Sequence, residues 1–342
     1  MYKRILVLFA LCFVVSSAKA QQDVFVSYSS LNLRSSAKVA ALGMDFLPWY
    51  TNDIGVGITN PSILNKDMDN QFAFGFTDLF AGIWQGNLAI SKTFNRLGSF
   101  SFGLNYIGYG DFKRTLPNGD EIGNFSANDY MFTIGWAKKL EDNLFMGVNM
   151  KPIISQYDSY SSFAIAFDLA ATYIYEKQDL TATLMARNFG AQIKTFNNIK
   201  EELPFELQLG LSKKLTHAPF RVFLLVNNLN KWDLRENDPL NPRDRIDPFT
   251  GEITRENSFK AFLDNGFRHL EFGLDFQPSK LFNIALGYSW KQSREMYLND
   301  ALSLAGFSYG FGINIKKFSL SFARNEYHKF GSPNHLTLIV KI

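Results

Sequence analysis

The sequence predicts an all-β protein: a 14-stranded antiparallel transmembrane β-barrel with an N-terminal plug segment. Three observations predict it. Apolar residues are abundant but finely interleaved with polar ones, segments of period-two alternation recur along most of the chain, and the connections between them alternate between short and long. Of 342 residues, 46 % are hydrophobic and 15 % aromatic, with 34 phenylalanines, yet mean hydropathy is only −0.10. A disordered chain would be poor in aromatics and strongly charged, whereas 35 Lys and Arg against 32 Asp and Glu leave a formal charge of +3. A helical membrane protein needs repeated apolar stretches of about 20 residues, and none follows the N-terminus. There is no long basic run, so no nucleic-acid partner is expected.

Taken in chain order, Lys3 and Arg4, the apolar run 5–15 and the small residues Ala18 and Ala20 read as a secretory signal over residues 1–20. The mature chain is then expected to begin at Gln21. Cys12, the single cysteine, falls inside the apolar run, so its removal leaves no thiol for a disulfide, a metal or a nucleophile. Residues 21–70 have weak strand periodicity and are the expected plug. Within them, residues 35–42 are expected to form a short helix stopped by Gly43. Asn60 and Pro61 mark a turn.

The barrel proper is expected over residues 71–342. Phe100, Phe102, Leu104 and Tyr106 alternate with Ser99, Ser101, Gly103 and Asn105, and Phe307, Tyr309, Phe311, Ile313 and Ile315 alternate with Gly306, Ser308, Gly310, Gly312 and Asn314. Period two places each set on one face of a strand. About fourteen such segments centre near residues 74, 89, 104, 134, 149, 169, 184, 210, 224, 273, 286, 310, 322 and 339. Most run about 9 to 13 residues, enough to cross a bilayer at a tilt. Tight turns are expected near residues 95–98, 141–143, 176–179, 216–219, 278–280 and 316–317. Longer connections are expected at 109–128, 156–161, 190–203, 230–267, 291–303 and 327–334. Short turns on one side and long loops on the other characterise outer-membrane barrels.

Trp84, Tyr106, Tyr109, Trp136, Tyr173, Tyr175, Tyr288 and Trp290 sit toward segment ends, where an interfacial girdle belongs. The other face carries Gly, Ser, Asn, Asp168, Glu206, Glu271 and Asp275, and is expected to line the lumen. Fourteen strands enclose more space than such side chains fill, so an occluded lumen is expected rather than an open pore.

Chemistry-bearing motifs are sparse. The four histidines lack metal-ligand spacing, and no Gly-x-Ser-x-Gly, Walker or dinucleotide fingerprint occurs. A Ser-x-x-Lys pattern at 35–38 recurs at 16–19, which shows how easily it arises by chance. No enzymatic activity, cofactor or metal is expected. The densely charged segment 231–260 reads as a solvated outer loop or as a docking surface. For docking, Trp232, Arg235, Arg243, Arg245 and Arg255 are the candidates, because Trp and Arg often anchor interfaces. In the plug, Phe46, Leu47, Trp49 and Ile54 would either pack against the barrel wall or line an apolar ligand pocket.

Residues 35–43 (SSAKVAALG) and 60–64 (NPSIL), placed ahead of a 14-strand barrel, resemble the FadL-like superfamily of outer-membrane barrels. More narrowly, residues 109–130 (YGDFKRTLPNGDEIGNFSANDY), 203–221 (LPFELQLGLSKKLTHAPFR), 229–234 (LNKWDL) and 305–313 (AGFSYGFGI) resemble the PorQ family of type IX secretion proteins of Bacteroidetes. Together these runs span most of the mature chain. The narrower resemblance implies a non-enzymatic protein of a Gram-negative outer membrane, set among its lipids. It also implies partners: a sortase-like peptidase, a second FadL-like barrel and a further surface protein, which process secreted cargo and attach it to the cell surface. The superfamily resemblance implies the alternative, a transporter of hydrophobic small molecules.

Overall fold

The computed structural model describes residues 28–235, 245–246, 253–254, 256–296, 304–328 and 331–342. The expected signal, residues 21–27 of the expected plug, and Arg243 and Arg255 lie outside them.

Fourteen strands form a closed antiparallel barrel. In chain order they are β1 (Gln71–Phe80), β2 (Ile83–Phe94), β3 (Gly98–Thr115), β4 (Glu121–Glu141), β5 (Leu144–Tyr157), β6 (Tyr160–Tyr175), β7 (Leu180–Lys194), β8 (Glu206–Lys214), β9 (Phe220–Val226), β10 (Leu270–Phe276), β11 (Phe282–Ser289), β12 (Phe307–Ile315), β13 (Phe318–Asn325) and β14 (Asn334–Lys341). Each covers one of the fourteen expected segments. The seam is the pairing of β1 with β14, from Gln71↔Lys341 to Asp78↔Asn334. Closure leaves no strand edge, so every ladder is satisfied without water.

Parity sorts the side chains. In β12, Phe307, Tyr309, Phe311, Ile313 and Ile315 point outward and are exposed, while Ser308, Gly310 and Gly312 are buried toward the lumen. The same division leaves Phe74, Phe76, Leu88, Phe102, Ile134, Leu169, Leu286, Leu320 and Leu338 on the outside. That apolar belt is what a hydrocarbon surround requires. Short turns cluster at the end that also holds Asn70 and Ile342, whose backbones are joined by a 3.1 Å hydrogen bond. By the short-turn rule this is the periplasmic end.

The structure corrects three details. Residues 109–128 are not a long loop. The β3–β4 hairpin continues to the pair Thr115↔Glu121, well beyond the alternating region. Apart from the pair Phe112↔Phe125, the charged and polar Asp111, Lys113, Arg114, Glu121 and Asn124 break up the alternation there, so backbone pairing persists with little pattern to announce it. Second, the connection at 156–161 is a tight turn between Tyr157 and Tyr160, closed with Asp158 at φ 54°. Third, Tyr109 is not in the outer girdle. It shares the parity of Ile107 and turns inward, just before a register shift between Gly108 and Asp111.

The segment from Tyr28 to Asn70 lies inside the barrel. Its helices are α1 (Ala37–Ala41) and α2 (Ile54–Gly57), joined by short 3₁₀ turns that include Pro61–Ile63. α1 ends where Gly43 adopts φ 65°, a left-handed turn that glycine makes without strain. The Asp53 carboxylate caps α2 by accepting from Val56 N at 3.2 Å. Pro61 opens its turn at the first helical position, where the missing N–H costs nothing. Val39, Leu42, Met44, Phe46, Leu47, Ile54, Ile63 and Met68 form one apolar core with inward residues of the wall, among them Ala73, Ala89, Ala137, Ala170, Met185, Phe223, Leu225 and Ala285. The small wall residues make room for the inserted segment. Two further helices, α3 (Ser258–Arg268) and α4 (Trp290–Glu295), lie in the outer loops.

Candidate functional site

The lumen contains two notable features: a polar latch on the inserted segment and an aromatic cavity above it. The latch is built around Arg34 and Asp45. Arg34 donates to the carbonyls of Gly43 at 2.7 Å and Met44 at 2.9 Å, clamping the turn after α1. Asp45 meets Arg187 of β7 at 2.9 Å and Arg34 at 3.9 Å, and accepts from Gln208 of β8 at 3.1 Å. Burial alone would raise the pKa of Asp45, but attraction to Arg187 and Arg34 outweighs it and holds the carboxyl below its ordinary value. Beside the latch, Lys151 of β5 lies 2.6 Å from Asp168 of β6, which also accepts from Asn188 N at 2.9 Å. Arg34, Asp45, Lys151, Asp168 and Arg187, with Leu31, Met131 and Thr133 among others, surround a void of about 60 Å³.

The Asn60–Pro61 turn is fastened to the wall a short way along. Asn60 donates to Leu47 O at 3.1 Å and accepts from Ser62 Oγ at 2.7 Å. Ser62 Oγ lies 2.6 Å from Thr172 Oγ1 of β6, and Asn149 of β5 donates to Ile58 O at 3.0 Å. Gly147 of β5 faces this turn, and any Cβ there would collide with the Pro61 carbonyl group and Ser62 N.

At the outer end, a cavity of about 410 Å³ is lined by Tyr28, Ser29, Tyr109, Phe112, Ala127, Ser155, Tyr157 and Phe196. Four separate stretches contribute its rings. Tyr157 stacks on Phe196 with centroids 5.0 Å apart and meets Tyr109 edge-on at 5.9 Å. Asp129 fixes both tyrosines, accepting from Tyr109 at 2.7 Å and from Tyr157 at 3.0 Å. Beneath the cavity, Tyr28 packs with Leu31, Met131, Ile153, Ala164, Ala166 and Leu203. Its hydroxyl is paired with Ser162 and receives Gln192 Nε2 at 3.1 Å. Tyr28 therefore separates the aromatic cavity above from the charge-lined void below, whose wall includes Leu31 and Met131. Sequence reasoning missed this cavity. Its rings are scattered from residue 28 to 196, and the signal that could have pointed to it is the parity Tyr109 shares with Ile107.

The residues singled out from sequence fall in three places. Phe46, Leu47 and Ile54 are fully buried in the core, and Trp49 packs against it, with its ring 5.9 Å from that of Phe223 and under the cations of Lys38 and Arg221. None of the four lines either cavity described above. Trp232 is exposed, its ring against His269 and Phe262 at 5.3 and 5.5 Å. Arg235 Nη1 donates to both carboxylate oxygens of Glu256, at 2.7 and 2.8 Å. Arg245 belongs to a two-residue ladder, Arg245–Ile246 with Ile253–Thr254.

No protein-family model matches the sequence, and no curated protein matches it either. Solved structures do. The deltaS2S3 mutant of TodX, a monoaromatic hydrocarbon channel, aligns over 89 % of this chain and 97 % of its own with TM-score 0.53 at 12 % identity. The chain shares the fold of that channel. The Pseudomonas putida toluene transporter TodX aligns over 90 % of this chain and 97 % of its own with TM-score 0.50 at 12 % identity. A Pseudomonas aeruginosa FadL homologue aligns over 90 % and 98 %, with TM-score 0.47 at 9 % identity. The closed, apolar-belted barrel is of the kind that spans membranes, and it shares its fold with TodX.

Proposed function

We propose that this chain is an outer-membrane transporter of small apolar molecules, with ligands about the size of one aromatic ring captured in the outer cavity. The observation that carries the reading is the cavity itself. It has a ligand-sized volume, its wall is mostly aromatic, and the hydroxyls of Tyr109 and Tyr157 are already committed to Asp129. Tyr28 forms its floor, and the inserted segment closes the lumen below. A captured molecule therefore advances only when that segment shifts. Monoaromatic hydrocarbons are the cargo of TodX, whose fold this chain shares. The reaction is passage rather than chemistry, so no catalytic group is required.

Uptake of radiolabelled toluene into proteoliposomes tests this. The native chain should exceed empty liposomes, and Phe196→Ala, which removes the stack on Tyr157, should lose uptake several-fold. Uptake no greater than in empty liposomes sinks the proposal.

A second reading is a type IX secretion component of the PorQ family. It would follow signal removal and anchor a sortase-like peptidase, a second FadL-like barrel and a surface protein that attach secreted cargo. Its support is the set of sequence runs described above and the exposed Trp232 in the loop after β9. Deleting residues 235–255 should release those partners from the barrel in native membranes. A complex that stays intact after the deletion counts against this docking site.

A further inference from the structure

Helix α3 is amphipathic in the unusual direction: its polar face is turned to the protein and its apolar face away from it. At about 100° per residue, Phe259, Phe262, Leu263 and Phe267 fall within an arc of about 140°. Phe259 is 69 % exposed and Phe262 57 % exposed, and Leu263 and Phe267 are exposed as well. On the opposite side Asn265 is 4 % exposed. It donates to Trp232 O and accepts from Leu234 N at 2.9 Å. Asp264 accepts from Arg268 at 2.9 Å and from the Trp290 indole at 3.0 Å, and lies 3.2 Å from Arg294. These bonds fix the helix roll, so the phenylalanines cannot turn inward.

In water this arrangement would be costly, because four large side chains stay hydrated while polar groups are sequestered. What the outward face adjoins resolves the conflict. The Phe267 ring lies 5.4 Å from Trp290, Trp290 lies 6.5 Å from Tyr288, and Tyr288 lies 4.7 Å from Phe307. Tyr288 and Phe307 stand on the outward face of the barrel, paired in register with each other and, through Tyr288, with Phe272. The apolar face of α3 is thus continuous with the lipid-facing belt, at its outer rim. Trp232 extends the same surface through its contact with Phe262.

We propose that α3 is an interfacial helix, seated in the outer leaflet with Phe259, Phe262, Leu263 and Phe267 among the acyl chains. Lys260 sits at the edge of the apolar arc, where its amine reaches the headgroup layer. The face is a membrane contact of this loop, independent of what the lumen carries.

Single cysteines at positions 259, 262, 263 and 267, placed in a Cys12→Ser background and spin-labelled, test this in full-length protein reconstituted into phosphatidylcholine vesicles. Sites at 258 and 260 serve as references. All these side chains are exposed, so labelling should not perturb folding, and retained gel mobility without boiling checks that the barrel is closed. The ratio of collision with lipid-soluble oxygen to collision with a water-soluble nickel chelate should be several-fold higher at the four apolar positions than at 258 and 260. Equal ratios at all six positions would overturn the proposal. So would protection that is absent in these vesicles and arises only in native membranes, since that identifies a protein partner as the occupant.

Discussion

At the scale of single residues, Asp45 and Gly147 hold the inserted segment by opposite means, one by charge and one by absence of a side chain. A carboxyl held below its ordinary value stabilises the state that holds it. That contribution is fully present above the ordinary pKa of 3.8 and is lost as pH falls through the lowered value. Asp45's own contribution should therefore be lost only in acid, below that ordinary value. Hydrogen exchange of the amides around Asp45 at stepped pH measures this in the native chain against Asp45→Asn, and an acid step equally large in both would contradict it. Asp45→Asn should remove the acid step and weaken the latch at neutral pH by about 3 kcal/mol, because Arg187 and Arg34 lose their shared counter-charge while still buried. Gly147→Val should act sterically. Its side chain would occupy the space of the Pro61–Ser62 backbone, at a cost of about 1–3 kcal/mol. The expected result is a folded barrel with raised conductance in planar bilayers; conductance unchanged from the native chain would show that the turn is not part of the seal.

Among the elements, the inserted segment is the one that must move if molecules pass the lumen. Ser62 and Thr172 hydroxyls lie 2.6 Å apart across its contact with β6. A Ser62→Cys/Thr172→Cys pair, oxidised, should abolish toluene uptake while leaving ligand capture in the outer cavity intact, and reduction should restore uptake. Uptake that persists in the oxidised form would mean that the Asn60–Pro61 turn stays fixed during transport. The elements also differ in how far the sequence announced them. The fourteen strands were legible because each separates two solvents, so that Phe311 must face out and Gly310 and Gly312 must face in. The outer part of the β3–β4 hairpin, around Lys113 and Glu121, was not legible, since charged side chains interrupt the alternation there. Helix α3 had a readable signal in the spacing of Phe259, Phe262, Leu263 and Phe267, but it lies within a densely charged loop and its apolar face points away from the protein. The latch and its surroundings were partly legible: Asp168 beside it was placed toward the lumen by parity, whereas Lys151 and Arg187 pair with Asp168 and Asp45 through contacts that only the closed barrel creates.

For the molecule as a whole, stability rests on a surface divided between lipid outside and a filled lumen inside, and closure makes one seam responsible for both. At that seam Leu338 of β14 sits opposite Phe74 of β1 and Leu320 of β13, in the middle of the outward belt. A charge there must lie in hydrocarbon or drag water to it. Leu338→Arg should therefore cost about 2–4 kcal/mol in denaturant unfolding from lipid vesicles. Leu281, equally apolar, lies at the turn before β11, where a long side chain reaches the interface, so Leu281→Arg should cost no more than about 1 kcal/mol. The comparison separates the two environments that exposed leucines can occupy, because a soluble sheet would give the two substitutions similar small effects. A Leu338→Arg penalty no larger than that of Leu281→Arg would mean that the belt is not immersed. The assignment of short turns to the periplasmic side, and of the aromatic cavity and α3 to the outer side, would then lose its physical basis.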